Sequence, residues 1–176
     1  ELKKSIDYFK KAIKIEEEIG SNNLAASLIN LGSSFSDLGE FDKAIPSLSK
    51  ALSIAKTNEN EQRVAYSLNN LGTIYMDQGN YPLAHEHFKE SLYINEKLGD
   101  SLGIANHLLN LGWIYKTQKH YEKAMKHYEK ALEIDRRIDN KKGVSSILND
   151  IGTIHEEIGD YKRALENYVE ALHINK

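Results

Sequence analysis

A glycine returns every 40 residues along this chain, at Gly32, Gly72, Gly112 and Gly152, each preceded by a large apolar residue (Leu31, Leu71, Leu111, Ile151). Twelve residues after each glycine stands a small residue: Ala44, Ala84, Ala124 or Ala164. A fixed period of this length is the signature of a solenoid, in which a unit buries its apolar face only by stacking on its neighbours. The same step links Phe35, Tyr75, Tyr115 and His155, then Phe41, Tyr81, Tyr121 and Tyr161, then Leu48, Phe88, Tyr128 and Tyr168, then Leu52, Leu92, Leu132 and Leu172. A half unit comes first, since Leu2, Ser5, Phe9, Ala12 and Ile13 match Tyr121, Ala124, Tyr128, Ala131 and Leu132. An open stack of this kind has no natural catalytic cleft, which moves the expected function toward holding another molecule.

Each unit reads as two helices. Val64, Ala65, Leu68, Leu71, Gly72 and Tyr75 share one helical face, giving a helix A over about residues 61–78. Gly79 supplies the left-handed residue that ends it, Asn80 caps the next helix, and Pro82 is tolerated in its first turn. Helix B then carries Tyr81, Ala84, Phe88 and Leu92 on one face and runs to about Leu98. The expected fold is all-α: a right-handed superhelical solenoid of antiparallel helix hairpins with about nine helices. Its parts are an orphan helix B over residues 1–20 and repeats over 22–60, 61–100, 101–140 and 141–176, forming one solenoid domain that reads as a fragment of a longer protein. Gly72 and Ala84 are placed where the two helices of a hairpin cross, because only small residues admit helix axes at ~8–10 Å. The aromatics at 75, 81 and 88 are expected to fill the spaces between successive hairpins, and the 10 tyrosines to be mostly core.

Composition removes several function classes. Lys plus Arg number 23 against 26 Asp plus Glu, a net charge of −3, without the basic excess of a nucleic-acid binder. No cysteine is present, so disulfides and thiolate metal sites are excluded. No apolar run approaches the ~18 residues of a membrane span and no signal peptide is visible, so no membrane partner is expected and the localisation is read as cytoplasmic. His87 and His127 repeat at the 40-residue step without a third ligand, and no nucleophile triad or phosphate loop appears. No catalytic residue, metal or cofactor is therefore assigned.

The series Leu68, Leu71, Gly72, Tyr75, Gly79, Tyr81, Ala84, Phe88 and Ser91 resembles the tetratricopeptide repeat, and its recurrence extends that resemblance over essentially the whole chain. Departures are the six added residues per unit, Glu96 near the repeat end where a proline is usual, Lys119 for the turn glycine, Ser91 for alanine and His155 for the aromatic. Long repeats of this kind look like those of spindle-orientation scaffolds, kinesin light chains and bacterial peptide receptors. The resemblance implies that the A helices line a concave groove. It places in that groove the polar column Asn30, Asn70, Asn110 and Asp150, together with Tyr66, Asn69, Thr73, Met76, Asp77, Asn106, Trp113, Lys116, Asn149, Thr153 and Glu156. An Asn offers one acceptor and two donors and so can satisfy an extended peptide backbone without reading its sequence; the bland alternative is that these amides tie neighbouring A helices together. Trp113 stands where other units have Ser33, Thr73 and Thr153, and reads as a binding anchor. Asp37, Asp77, Asp150, Glu156 and Glu157 outweigh Lys116, which favours a basic or neutral protein or peptide. Ser33, Asn70, Lys116 and Glu156 occupy the places where the family's carboxylate clamp needs Lys and Arg, so a chaperone-tail binder is disfavoured. The primary expectation is an interaction module for an extended or helical segment; the alternative is a regulatory or sensor segment of a larger signalling protein, such as a histidine kinase or peptide-responsive switch. The stripe Leu2, Ile6, Phe9 and Ile13 at one end, and Tyr161, Tyr168 and Leu172 at the other, are expected to be partly bare and to drive weak self-association.

Overall fold

The structure, a computed structural model, describes residues 2–174. These form α1 (Leu2–Ile19), α2 (Leu24–Asp37), α3 (Phe41–Thr57), α4 (Glu61–Asp77), α5 (Tyr81–Leu98), α6 (Ser101–Thr117), α7 (Tyr121–Arg137), α8 (Lys141–Glu157) and α9 (Tyr161–Ile174), with no strand among the described residues. The A helices are α2, α4, α6 and α8; α1, α3, α5, α7 and α9 are B helices. Contacts divide the chain into two compact units that meet inside α5, the first ending at Ile94 and the second beginning at Asn95.

Local chemistry at 20-residue steps sets the helix ends. Gly20, Gly39, Glu59, Gly79, Gly99, Lys119, Asp139 and Gly159 all have positive φ, between 52 and 84°. Each ends a helix through a reverse bond such as Asn80 N–H to the Tyr75 carbonyl at 2.8 Å or His120 N–H to the Tyr115 carbonyl at 2.9 Å, which satisfies carbonyls the helix leaves open. At the start of α4, α6 and α8 the following residue caps the helix: Asn60 accepts from the Arg63 amide at 3.0 Å, Asp100 from Gly103 at 3.0 Å and Asn140 from Gly143 at 3.2 Å, whereas Glu40 and His120 make no such side-chain bond.

Within a hairpin the repeating glycine lies against a ring. A Cβ at Gly72 would stand 2.7 Å from Phe88 Cε1, and one at Gly112 or Gly152 would stand 2.5 Å from Cε1 of Tyr128 or Tyr168; at Gly32 the neighbour is Leu48 Cγ at 2.6 Å. Tyr75 stacks on His87 with centroids 5.3 Å apart, and Tyr115 lies 5.0 Å from His127. Phe88 thus packs against its own hairpin partner, because the missing Cβ opens a slot directly beneath the ring, while Tyr75 both stacks within its hairpin and packs against the core shared with the preceding one. Tyr121 does bridge hairpins, donating its hydroxyl to Glu157 Oε2 on α8 at 2.7 Å.

In the first unit the core joins Ile6, Ile13, Leu28, Leu31, Phe35, Ala44, Leu48, Ala51, Leu71 and Ile74. In the second it joins Leu108, Ala124, Tyr128, Ala131, Ile147, Ile151 and Ile154. Two expectations are corrected. Of the tyrosines only Tyr128 is fully buried, while Tyr8, Tyr66, Tyr93 and Tyr161 are more than half exposed; a phenol tolerates water at its rim, so periodicity alone does not make it core. Ile6 and Ile13 are buried and Phe9 is partly buried, since α2 covers that part of the stripe, while Leu2 is exposed as expected; Tyr8, Ile15 and Ile19 are further bare apolar residues of α1. On α9, Tyr161 and Leu172 are exposed and Tyr168 is half-buried, in keeping with a partly bare face, and Leu165 is exposed as well.

Gly112→Ala is expected to lower stability by about 1–3 kcal/mol because the Tyr128 ring must shift, and Gly112→Leu to prevent the α6–α7 hairpin from closing; urea unfolding checks both. A non-glycine residue in the left-handed region costs about 1 kcal/mol, so Lys119→Gly and Asp139→Gly should each raise the urea midpoint, and Gly79→Lys should lower it by a similar amount.

Candidate functional site

The A helices bury one side against their own B helix and also touch each other, α2 with α4 and α6 with α8. The free side of these helices carries the expected site residues, and each unit treats them differently.

In the first unit a cleft of about 330 Å³ lies between α2 and α4, lined by Ala26, Ile29, Asn30, Gln62, Arg63 and Tyr66. Asn30 is exposed and its side-chain amide makes no hydrogen bond among the described residues; Tyr66 is 51% exposed. Arg63 is held at one rim by donating Nη1 to the Asn22 carbonyl at 2.6 Å. Asn70 is not free: its Oδ1 accepts from Ser33 Oγ at 3.1 Å and its Nδ2 donates to the Tyr66 carbonyl at 2.8 Å, tying α4 to α2. Asn69 is half-buried with a shielded Oδ1 that meets no donor among the described residues. Thr73 bonds back to the Asn69 carbonyl at 3.1 Å, Met76 is half-buried, and Asp77 is exposed with its carboxyl raised above the usual range by partial burial.

In the second unit Asn106 and Asn149 are exposed, and Asn110 is half-buried with an amide that makes no hydrogen bond among the described residues. Lys116 of α6 and Asp150 of α8 form an ion pair whose side chains are 14% and 21% exposed. Thr153 bonds back to the Asn149 carbonyl at 2.9 Å, and Glu156 Oε2 accepts from the Tyr168 hydroxyl at 2.8 Å. Trp113 is half-buried on α6. The polar column therefore splits: Asn70 and Asp150 join consecutive A helices, as the bland alternative held, while Asn30 and Asn110 keep unused amides.

Gln62 and Arg63 were not anticipated in the cleft. Their signal was position in the first turn of an A helix, which places them at the rim beside Asn30. Nor was the buried pair of Asn95 and His107, in which Asn95 Nδ2 donates to His107 Nε2 at 3.0 Å. His107 takes the register of Ser67 and Ile147 and is 2% exposed. Burial pushes its imidazole from 6.5 down to about 4, against the raising influence of Asp100. Asp135, in the register of Asn95, is also buried; burial raises its carboxyl, opposed by a hydrogen bond from Asn140 Nδ2 at 2.8 Å. These groups face the core, not the free side of the A helices. Among the described residues no three His, Cys, Asp or Glu side chains gather as a metal site, and no helix is long and apolar enough to cross a membrane.

A tetratricopeptide repeat model matches residues 1–57, 63–137 and 121–176. BtubC (BKLC) from P. vanneervenii superposes with a TM-score of 0.83 at 23% identity, covering 98% of this chain and 73% of that one. MamA superposes at 0.67 with 24% identity, over 97% and 86% of the two chains. A Rap protein complexed with Competence and Sporulation Factor gives 0.75 at 17% identity, over 99% and 59%. No match was found among curated proteins.

Because the folded His107 resists protonation, its contribution to stability is full above about pH 6.5 and is lost as pH falls to about 4. That loss should amount to about 3 kcal/mol. Asp135, with a raised carboxyl, works in the opposite direction, so the effect is read as a difference between proteins. Urea unfolding at pH 7 and pH 4 should show a smaller acid loss in His107→Ser than in the wild type; equal losses would show that His107 is not held neutral.

Proposed function

Because the chain belongs to the tetratricopeptide repeat family, we propose that it is a non-catalytic interaction module whose A-helix faces hold an extended or helical segment of another protein, of basic or neutral character. The observation that carries this reading is the open cleft between α2 and α4, where an unused Asn30 amide stands beside the exposed Tyr66 ring and Ile29. Such a surface combines an apolar seat for a side chain with two donors and an acceptor for a backbone. In the second unit Asn110 and Trp113 repeat the pairing of amide and aromatic on α6. Asp77 in the first unit, and Asp150, Glu156 and Glu157 against Lys116 in the second, supply the negative bias that disfavours an acidic partner. The similar Rap protein is complexed with Competence and Sporulation Factor, which supports the reading of this chain as a module that binds another molecule and leaves room for the alternative of a sensor segment of a larger signalling protein.

The test is affinity capture of partners by the wild-type chain, followed by titration of the captured partner against variants. Asn30→Ala combined with Asn110→Ala should weaken binding roughly tenfold, since each lost hydrogen bond is worth ~0.5–1.5 kcal/mol, with Tm unchanged. Asn70→Ala should instead lower Tm, because it breaks the bond to Ser33. Unaltered affinity in the double variant would remove the A-helix faces as the binding surface.

A further inference from the structure

The Lys116–Asp150 pair differs from the ion pairs that join B helices. Those, Glu17 with Lys50, Lys56 with Glu90 and Arg136 with Glu170, have side chains about half exposed, whereas Lys116 and Asp150 are largely withdrawn from water. On the same helix as Lys116, one turn earlier, Gly112 carries the ring of Tyr128, which is fully buried and whose hydroxyl meets no hydrogen-bond partner among the described residues. Its direction follows from the repeat. Tyr168, 40 residues on, brings its hydroxyl to 2.8 Å from Glu156 and 3.5 Å from Thr153, residues whose register mates for Tyr128 are Lys116 and Trp113, on either side of the turn of α6 that starts at Gly112. The charge of Asp150 reaches the same phenol and, with burial, holds it protonated. Phe88 fills the equivalent slot in the first unit, equally buried and with no oxygen, so packing of the ring does not call for the hydroxyl. A buried hydroxyl without a partner is unfavourable, and a group from outside this chain would give it one.

We propose that Asp150, Tyr128 and Trp113 form an arginine-binding subsite that Lys116 occupies at rest: a partner's guanidinium replaces the Lys116 ammonium on Asp150, donates a further N–H to the Tyr128 hydroxyl oxygen and stacks on the Trp113 ring. This rests on the reading of the A-helix faces as the partner surface and names the side chain they select. The incoming group is a cation because a carboxylate would have to approach Asp150 with Glu156 and Glu157 on the same helix. Arginine is preferred over lysine because its planar fork serves a carboxylate and a hydroxyl at once, lies flat on an indole and gives up its hydration more readily. The exchange leaves no buried charge unpaired, since the flexible Lys116 stem carries its ammonium out to solvent as the guanidinium arrives.

The probes are the peptides acetyl-Gly-Arg-Gly-amide and acetyl-Gly-Lys-Gly-amide, titrated into the full chain. The reporter is the indole N–H resonance of Trp113, the single tryptophan. The arginine peptide should saturate about fivefold more tightly than the lysine peptide, and Asp150→Asn should abolish the difference. Tyr128→Phe should weaken the arginine peptide about threefold while Tm stays level or rises, which a purely structural hydroxyl would not do. Lys116→Met removes the resident competitor, so it should tighten the arginine peptide and lose Tm that the peptide restores; Lys116→Gln gives the same sign should the methionine variant fold poorly. Equal titration of the two peptides, or unchanged arginine affinity in Tyr128→Phe or in both Lys116 variants, would overturn the proposal. A captured partner that loses affinity on Asn30→Ala with Asn110→Ala but ignores Asp150→Asn and Tyr128→Phe would overturn the arginine subsite alone and leave the broader reading standing.

Discussion

A bulky B-helix side chain lying on an A helix that has no Cβ beneath it fixes each hairpin, an aromatic ring in three of them and Leu48 in the first, and the other features follow from that contact. At Gly72, Gly112 and Gly152 an added Cβ would stand 2.5 to 2.7 Å from the nearest ring carbon, closer than any packed carbon pair tolerates. The B helix approaches just as closely through its own small residues, with Ala44, Ala84 and Ala124 wholly buried and Ala164 3% exposed. With that side of the A helix committed to its hairpin partner, the side away from the ring is left for other uses. A left-handed residue, Gly39, Gly79, Lys119 or Gly159, turns the chain between the two helices of each hairpin within a few residues, so that the bulky side chain and the glycine meet in register.

The free side of the A helices shows two uses of one kind of residue. Asn70 and Asp150 hold consecutive A helices together, through Ser33 and Lys116, and so keep the spacing at which a cleft can exist. Asn30 and Asn110, in the same register, retain their hydrogen-bonding capacity. A surface that used every amide internally would be stable and closed to ligands, while one that used none would leave the A helices poorly fixed. The interior follows a related logic in the second unit. His107 and Asp135 are ionisable groups whose burial favours their neutral forms; for His107 this makes stability sensitive to acid, while Asp135 acts in the opposite direction.

The helix limits were legible because they depend on neighbours in sequence. Gly79 followed by Asn80 marks an end and a start without reference to the rest of the fold, and α4 and α5 begin and end within a residue or so of the expected positions. Lys119 was singled out as a departure, yet it takes φ 59°, because hairpin closure outweighs the modest penalty on one left-handed residue. Periodicity placed Phe88 and Tyr75 between successive hairpins; Phe88 lies on the glycine of its own hairpin, while Tyr75 stacks on His87 within the hairpin and also packs against the preceding core. It also treated every tyrosine alike, although Tyr93, in the last turns of α5, is 68% exposed and Tyr128 is wholly buried. The fates of Asn70 and Asn30 diverge for a reason no single register records: the partner is a side chain 37 residues away, Ser33, which Asn70 has and Asn30 lacks. His107 was not legible because its register is otherwise serine or isoleucine, and its burial beside Asn95, across the α5–α6 turn, is a matter of packing that the register does not record.

If the glycine is present to admit the ring, its value must disappear when the ring is removed. A double-mutant cycle on Gly72 and Phe88 measures this by urea unfolding. In the wild-type background Gly72→Ala should be destabilising, because its Cβ meets the Phe88 ring. In the Phe88→Ala background the same change should become stabilising by about 1 kcal/mol, the helix propensity that alanine holds over glycine. An equal loss in both backgrounds would contradict the account and place the role of the glycine elsewhere.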